Sequence, residues 1–155
     1  MDTEEGTEDA PKADPFDLAR FVSAQDDRQT YTTALREIGR GRKSSHWMWF
    51  VFPQVAGLGR SATAQQFAIS SLNEARAFLD HPVLGPRLRE SARAIATAPG
   101  QSADAVLGSI DAQKLKSSMT LFLRAAPDDP DFVEVLDRWF CGDVDDATDW
   151  QLHNR

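Results

Sequence analysis

Leu84-Gly85-Pro86-Arg87-Leu88-Arg89-Glu90-Ser91-Ala92-Arg93-Ala94-Ile95 decides the fold. Leu84, Leu88, Ala92 and Ile95 step by four, four and three, while Arg87, Arg89, Glu90 and Arg93 face away. That is the spacing of an amphipathic helix, and Pro99-Gly100 stops it. Just before it, Ser71-Leu72-Asn73-Glu74 matches a capping box, with Leu72, Ala75, Phe78 and Leu79 forming an inner face until Pro82. After it, Ser102 is expected to cap a brief turn to Leu107. Asp111 is expected to cap a longer helix whose Leu115, Met119 and Phe122 step by four and three before Pro127. Asp129-Pro130 opens a last helix with Phe132, Val133, Leu136 and Phe140 as its stripe and Gly142 past its end. Upstream, Asp14-Pro15 begins a short helix carrying Leu18, Phe21, Val22 and Gln25, and Thr30 begins another that Gly39 and Gly41 end. Helical spacing throughout, with no internal repeat, predicts an all-α fold: one compact domain of about six to eight short helices.

At 155 residues the chain is long enough for one core and short for two. Its net charge is −7, but residues 1–14 hold six acids and one base, and residues 143–155 hold four acids and one base. The body between them is nearly neutral. The expected organisation is therefore an acidic disordered tail (1–14), a helical domain (15–142) and an acidic flexible tail (143–155). The single cysteine, Cys141, excludes an intrachain disulfide framework. No apolar run approaches twenty residues and the acidic start is not a secretory signal, so a soluble cytoplasmic location without membrane contact is expected. Arg36, Arg40, Arg42, Lys43 and Arg60 face Glu37 alone between positions 36 and 60, which leaves room for a phosphate-bearing partner. Nucleic acid is the least favoured such partner: binding through this patch would be weak and would collapse with added salt.

The most aromatic stretch is His46-Trp47-Met48-Trp49-Phe50-Val51-Phe52-Pro53-Gln54. Burial on nearly all sides is required, and either a two-turn helix after Ser45 or an interior strand fits; the helix is preferred because Pro53 ends it naturally. His46 is read either as a satisfied imidazole in the core or as a general acid or base. Trp47 and Trp49 are either core or walls for a flat ligand. Gln54 and Gln65 are amides able to read a ligand edge or to satisfy loop backbone. Gly57-Leu58-Gly59-Arg60-Ser61 runs into a helix N-terminus, where free N–H groups and Arg60 suit an anion. Lys114, Ser117 and Ser118 fall at i, i+3 and i+4, grouping an amine with two hydroxyls. Three scattered histidines, His46, His81 and His153, make no metal motif, and no cofactor signature is present. His81 reads as a charge at a helix C-terminus.

The aromatic motif, followed by Gly57-Leu58-Gly59-Arg60-Ser61, by Ala68-Ile69-Ser70-Ser71-Leu72 and by Lys116-Ser117-Ser118-Met119-Thr120-Leu121-Phe122, closely resembles an uncharacterised bacterial family catalogued as domain of unknown function 1810. The resemblance covers about residues 14–142 and implies a small, single-domain, all-helical protein. It carries no activity over to this chain. Some members bear the label calpastatin, which does not suit a chain with regular apolar stripes, since calpastatins are disordered.

These readings converge on one expectation: a partly buried pocket binding a small anionic or nucleotide-like metabolite. His46, Lys114 and Ser118 are its candidate catalytic groups. Trp47, Trp49, Gln54, Gly57, Gly59, Arg60, Ser61, Gln65 and Ser117 are its candidate ligand contacts. Hydrolysis or transfer with His46 as acid or base is the form an activity would take. The rival is a non-enzymatic interaction module whose aromatic motif is structural core and whose partner is another protein.

Overall fold

The computed structural model describes residues 13–154. The N-terminal tail expected over 1–14 therefore lies almost wholly outside the described residues, as does Arg155. The described chain is all-α. Its helices are α1 (Ala19–Asp26), α2 (Thr30–Gly39), α3 (Met48–Val51), α4 (Ala62–Gln66), α5 (Leu72–Asp80), α6 (Leu84–Ala96), α7 (Ala103–Leu107), α8 (Ser109–Ala125), α9 (Pro130–Phe140) and α10 (Asp146–His153), with a 3-10 turn at Asp27–Gln29. An isolated parallel bridge, Val55 with Ile69, is the extended pairing found among the described residues.

α8 is the spine. It packs against α5, α7, α9 and α10, while α6 packs on α5, α9 and α2, and α1 joins α2 to α3. Residues 117–122 are buried in succession, so this part of α8 is enclosed on all sides. Phe21, Phe78, Phe122 and Phe132 form a relay of rings through the core, with centroids 5.1, 5.3 and 5.9 Å apart in turn. The apolar faces of α5 and α6 are the ones their spacing predicts: Ala75, Phe78 and Leu79, and Leu84, Leu88, Ala92 and Ile95.

Several ends follow their expected chemistry. Ser61, Ser71 and Ser102 accept N–H bonds from Ala64, Glu74 and Ala105. Asp129 caps α9 ahead of Pro130, and Cys141 with Gly142 closes it in left-handed backbone, their N–H groups both reaching Leu136 O. Others differ. Asp14 caps α1 from a distance, accepting from Leu18 and Ala19 N–H at 2.8 and 3.0 Å across a turn at Pro15-Phe16. Glu74 accepts from Ser70 rather than from its own cap residue, at 2.8 Å from both N–H and hydroxyl, and pairs with Arg20 at 2.9 Å. Arg20 also donates to Gln66 O and Ala68 O, clamping the loop that follows α4. His81, expected to serve the end of α5, instead serves the start of α6: its Nδ1 accepts N–H bonds from Val83 and Leu84 at 3.1 and 3.2 Å.

The reach 143–155, expected as a flexible tail, corrects that expectation through residue 154. It carries α10, packed on α8. The physical reason is Asp145, 7% exposed, which joins the two helices. Its carboxylate accepts from Ser117 Oγ at 2.9 Å, Gln113 Nε2 at 3.0 Å, Thr148 Oγ1 at 2.6 Å and Thr148 N–H at 3.1 Å. Its own N–H donates to Thr120 Oγ1 at 2.9 Å. An acid-rich count reads such a segment as solvated; one carboxylate with four donors overrides it.

Replacing Asp145 by Ala is expected to destabilise the protein by about 3 kcal/mol, because buried hydroxyls on α8 and α10 lose their acceptor together with the cap. Urea unfolding measures this, and amide exchange should show α10 opening before the spine.

Candidate functional site

The segment 44–54 is built downward from one carboxylate. Glu37 on α2 is 3% exposed, and no lysine or arginine among the described residues pairs with it. It accepts from Ser44 N–H at 2.8 Å, Ser45 N–H at 3.0 Å and Trp47 Nε1–H at 2.8 Å, and from the Ser45 hydroxyl. Burial works to raise the pKa of Glu37. The hydrogen bonds from the Ser45 hydroxyl, Ser44 N–H, Trp47 and Ser45 N–H outweigh it and hold the group at about 2. The result turns the chain so that Trp47 points inward, fully buried, and His46 and Trp49 point outward. A one-turn helix, α3, follows, and then the extended link at Val55. The motif is thus helical at its centre, no residue of 46–54 is in a strand, and the isolated bridge at Val55 lies just beyond it.

Lys43 runs alongside. Its side chain is only 9% exposed; Nζ donates to Ser45 O at 2.5 Å and pairs with Asp111 at 2.9 Å. Asp111 is not the cap of α8 that spacing predicts. Gly108, at φ 87°, begins that helix without a side-chain cap, and Asp111 lies in the first turn between Lys43 and Lys114, whose Nζ is 3.7 Å away. The Lys114 ammonium lies over the Trp49 ring, 4.9 Å from its centroid, and His46 lies 6.4 Å from the same ring.

Together these residues form a surface hollow of about 470 Å³ lined by His46, Trp49, Lys43, Asp111, Lys114 and the first turn of α8. A second hollow of about 390 Å³ adjoins it, lined by Gln54, Leu58, Gly59, Gln113 and, in common with the first, Ser109, Ile110 and Lys114. His46 and Lys114 therefore share one space, and Gln54 shares the next one with Lys114.

Other sequence candidates lie elsewhere. Trp47 is core. Ser117 is buried and bonded to Asp145; Ser118 is fully buried, its hydroxyl without a partner, and neither lines a hollow. Ser61 caps α4, Gln65 is exposed and donates to Arg60 O at 3.1 Å, and Arg60 is exposed. Gly57 has φ 100°, and a Cβ there would meet the Gln151 side chain of α10 at 2.5 Å, so its glycine serves a turn under that helix. Residues that sequence reasoning passed over are Glu37, Asp111 as a bridge, Gln113 and Ile110. Ile110 carries the one available signal, an apolar residue in a polar first turn; it is 73% exposed. Among the described residues no group of three His, Cys, Asp or Glu is placed to hold a metal ion, and no helix is long and apolar enough to cross a membrane.

A family model described as Protein of unknown function (DUF1810) matches residues 15–152, a span that includes nearly all of α10. The crystal structure of the conserved hypothetical protein Rv1873 from Mycobacterium tuberculosis is similar to this chain, with a TM-score of 0.86 and 47% identity over 90% of this chain and 99% of that one. Among curated proteins, none matches the chain.

The Glu37 cluster has a pH signature. A carboxylate whose folded pKa lies below its unfolded value contributes fully above the unfolded value of 4.5, and that contribution is lost as pH falls towards 2. Glu37→Gln is expected to cost about 3 kcal/mol at neutral pH, at about 1.4 kcal/mol per pKa unit. The gap from the parent protein should narrow as pH drops from 4.5 towards 2. Urea unfolding of both proteins across that window is the measurement; a gap independent of pH contradicts the charged-acceptor account.

Proposed function

Because the chain belongs to the DUF1810 family, of unknown function, we propose that its groove beside α8 binds a small anionic, nucleotide-like ligand. The observation that carries this reading is the meeting of His46, Trp49, Lys43 and Lys114 in one surface hollow at the first turn of α8. Two ammoniums share one carboxylate there, so the lysines bring one unmatched positive charge into a mostly apolar, aromatic setting. The N–H groups of the uncapped first turn add to the same sign of potential. His46 is the groove's proton-exchanging side chain, so hydrolysis or transfer on a bound metabolite would fall to it. Lys114 and Ser118 are the further catalytic candidates carried from the sequence, and of these Lys114 has the access the role needs.

A second reading, a protein-interaction module, draws on Trp150 of α10, an indole 62% exposed outside the groove.

A thermal-shift screen against NAD, ADP-ribose, nucleotides and sugar phosphates tests the first reading. Ligand at about a hundredfold excess over its Kd should raise Tm by roughly 8 °C. Lys114→Ala should lose that response while keeping its unliganded Tm. Leu88→Ala, a packing control, should drop in Tm by more than this and keep the response. Silence across the whole set favours the interaction module instead.

A further inference from the structure

We infer that the groove takes a two-armed ligand whose anionic linkage lies in the middle, the chemical class being a pyrophosphate- or phosphodiester-linked dinucleotide; this deepens the anion-binding reading above and rests on it. The two hollows share Ser109, Ile110 and Lys114 and no other lining residue, so these three form a waist between two lobes. Charge is distributed unevenly along this space. In the first lobe Lys43 is spent on Asp111 and Ser45 O. The second lobe is lined by no charged side chain except Lys114 itself. Lys114 stands 3.7 Å from the nearer Asp111 oxygen, outside hydrogen-bond distance, and so keeps its donors for a ligand. The unmatched cation is therefore at the waist, with a neutral lobe on one side and a charge-balanced lobe on the other.

A mononucleotide filling either lobe would put its phosphate on Lys114 and leave the other lobe to water. A molecule with its charge at the centre fills both. The walls suit different arms: Trp49, Met48 and Leu107 offer apolar and aromatic surface for a flat ring, while Gln54 and Gln113 offer amides that both donate and accept at a ring edge. Volumes of about 470 and 390 Å³ each suit one small ring system with its sugar. Ile110, 73% exposed and shared by both lobes, gives the waist apolar surface where the linkage crosses.

Calorimetric titration of the full chain with diadenosine pyrophosphate, AMP and inorganic pyrophosphate tests this. The two-armed compound should bind at least about tenfold more tightly than either of the others, and Lys114→Ala should weaken it by about tenfold. Ile110→Trp, at a position exposed enough to leave the fold intact, should remove the two-armed advantage, so that this variant binds diadenosine pyrophosphate no more tightly than it binds AMP. Equal affinity for diadenosine pyrophosphate and AMP overturns the two-armed inference and leaves the anion-binding reading standing. No binding of any of the three overturns both. Affinity that keeps rising through longer oligoadenylates also overturns the inference, because it marks a continuous polyanion track rather than a site of two lobes.

Discussion

The carboxylate of Glu37 is the constraint from which the rest of the site follows. An ionised acid in an apolar interior is strongly unfavourable unless its lone pairs are filled. Here they are filled by neutral donors from one short stretch, Ser44 to Trp47. Satisfying the acid therefore dictates the path of the chain. The first indole of the motif must turn in to donate, and with that settled His46 before it and Trp49, beyond the buried Met48, are left at the surface. One buried group thus sorts the aromatic motif into a structural half and a surface half.

α8 supplies the opposite wall. Its middle is sunk in the core and its last turns hold α9 and α10, yet its first turn is uncapped and faces His46, Trp49 and the lysines. A helix fixed so firmly along its length presents its first residues on a rigid base. Lys43 and Asp111 tie that base to the loop carrying the aromatic motif, so both walls are held by groups largely withdrawn from water.

Much of this could be read before any coordinates. Apolar spacing identified α5, α6, α8 and α9, and Ser71 and Asp129 placed the starts of α5 and α9, because both signals are local and depend on residues a turn apart. The pairing of His46 with Lys114 across the groove was expected, and the two do line one hollow. What could not be read depends on partners distant in the chain. Glu37 looks like a solvated residue of an amphipathic helix, Asp111 like a cap, and Asp145 like one acid in an acidic tail; each is instead defined by donors or cations that only the tertiary fold brings near. Ser117 shows the same limit from the other side. Its spacing from Lys114 was right, but helical neighbours three residues apart need not share an environment when one edge of the helix is covered by α10.

The turn at Gly57, held in left-handed backbone, lies directly under the amide end of Gln151. This makes the last helix a brace for the far rim of the groove, although it contributes no lining side chain there. Shape at that rim is thus set from behind.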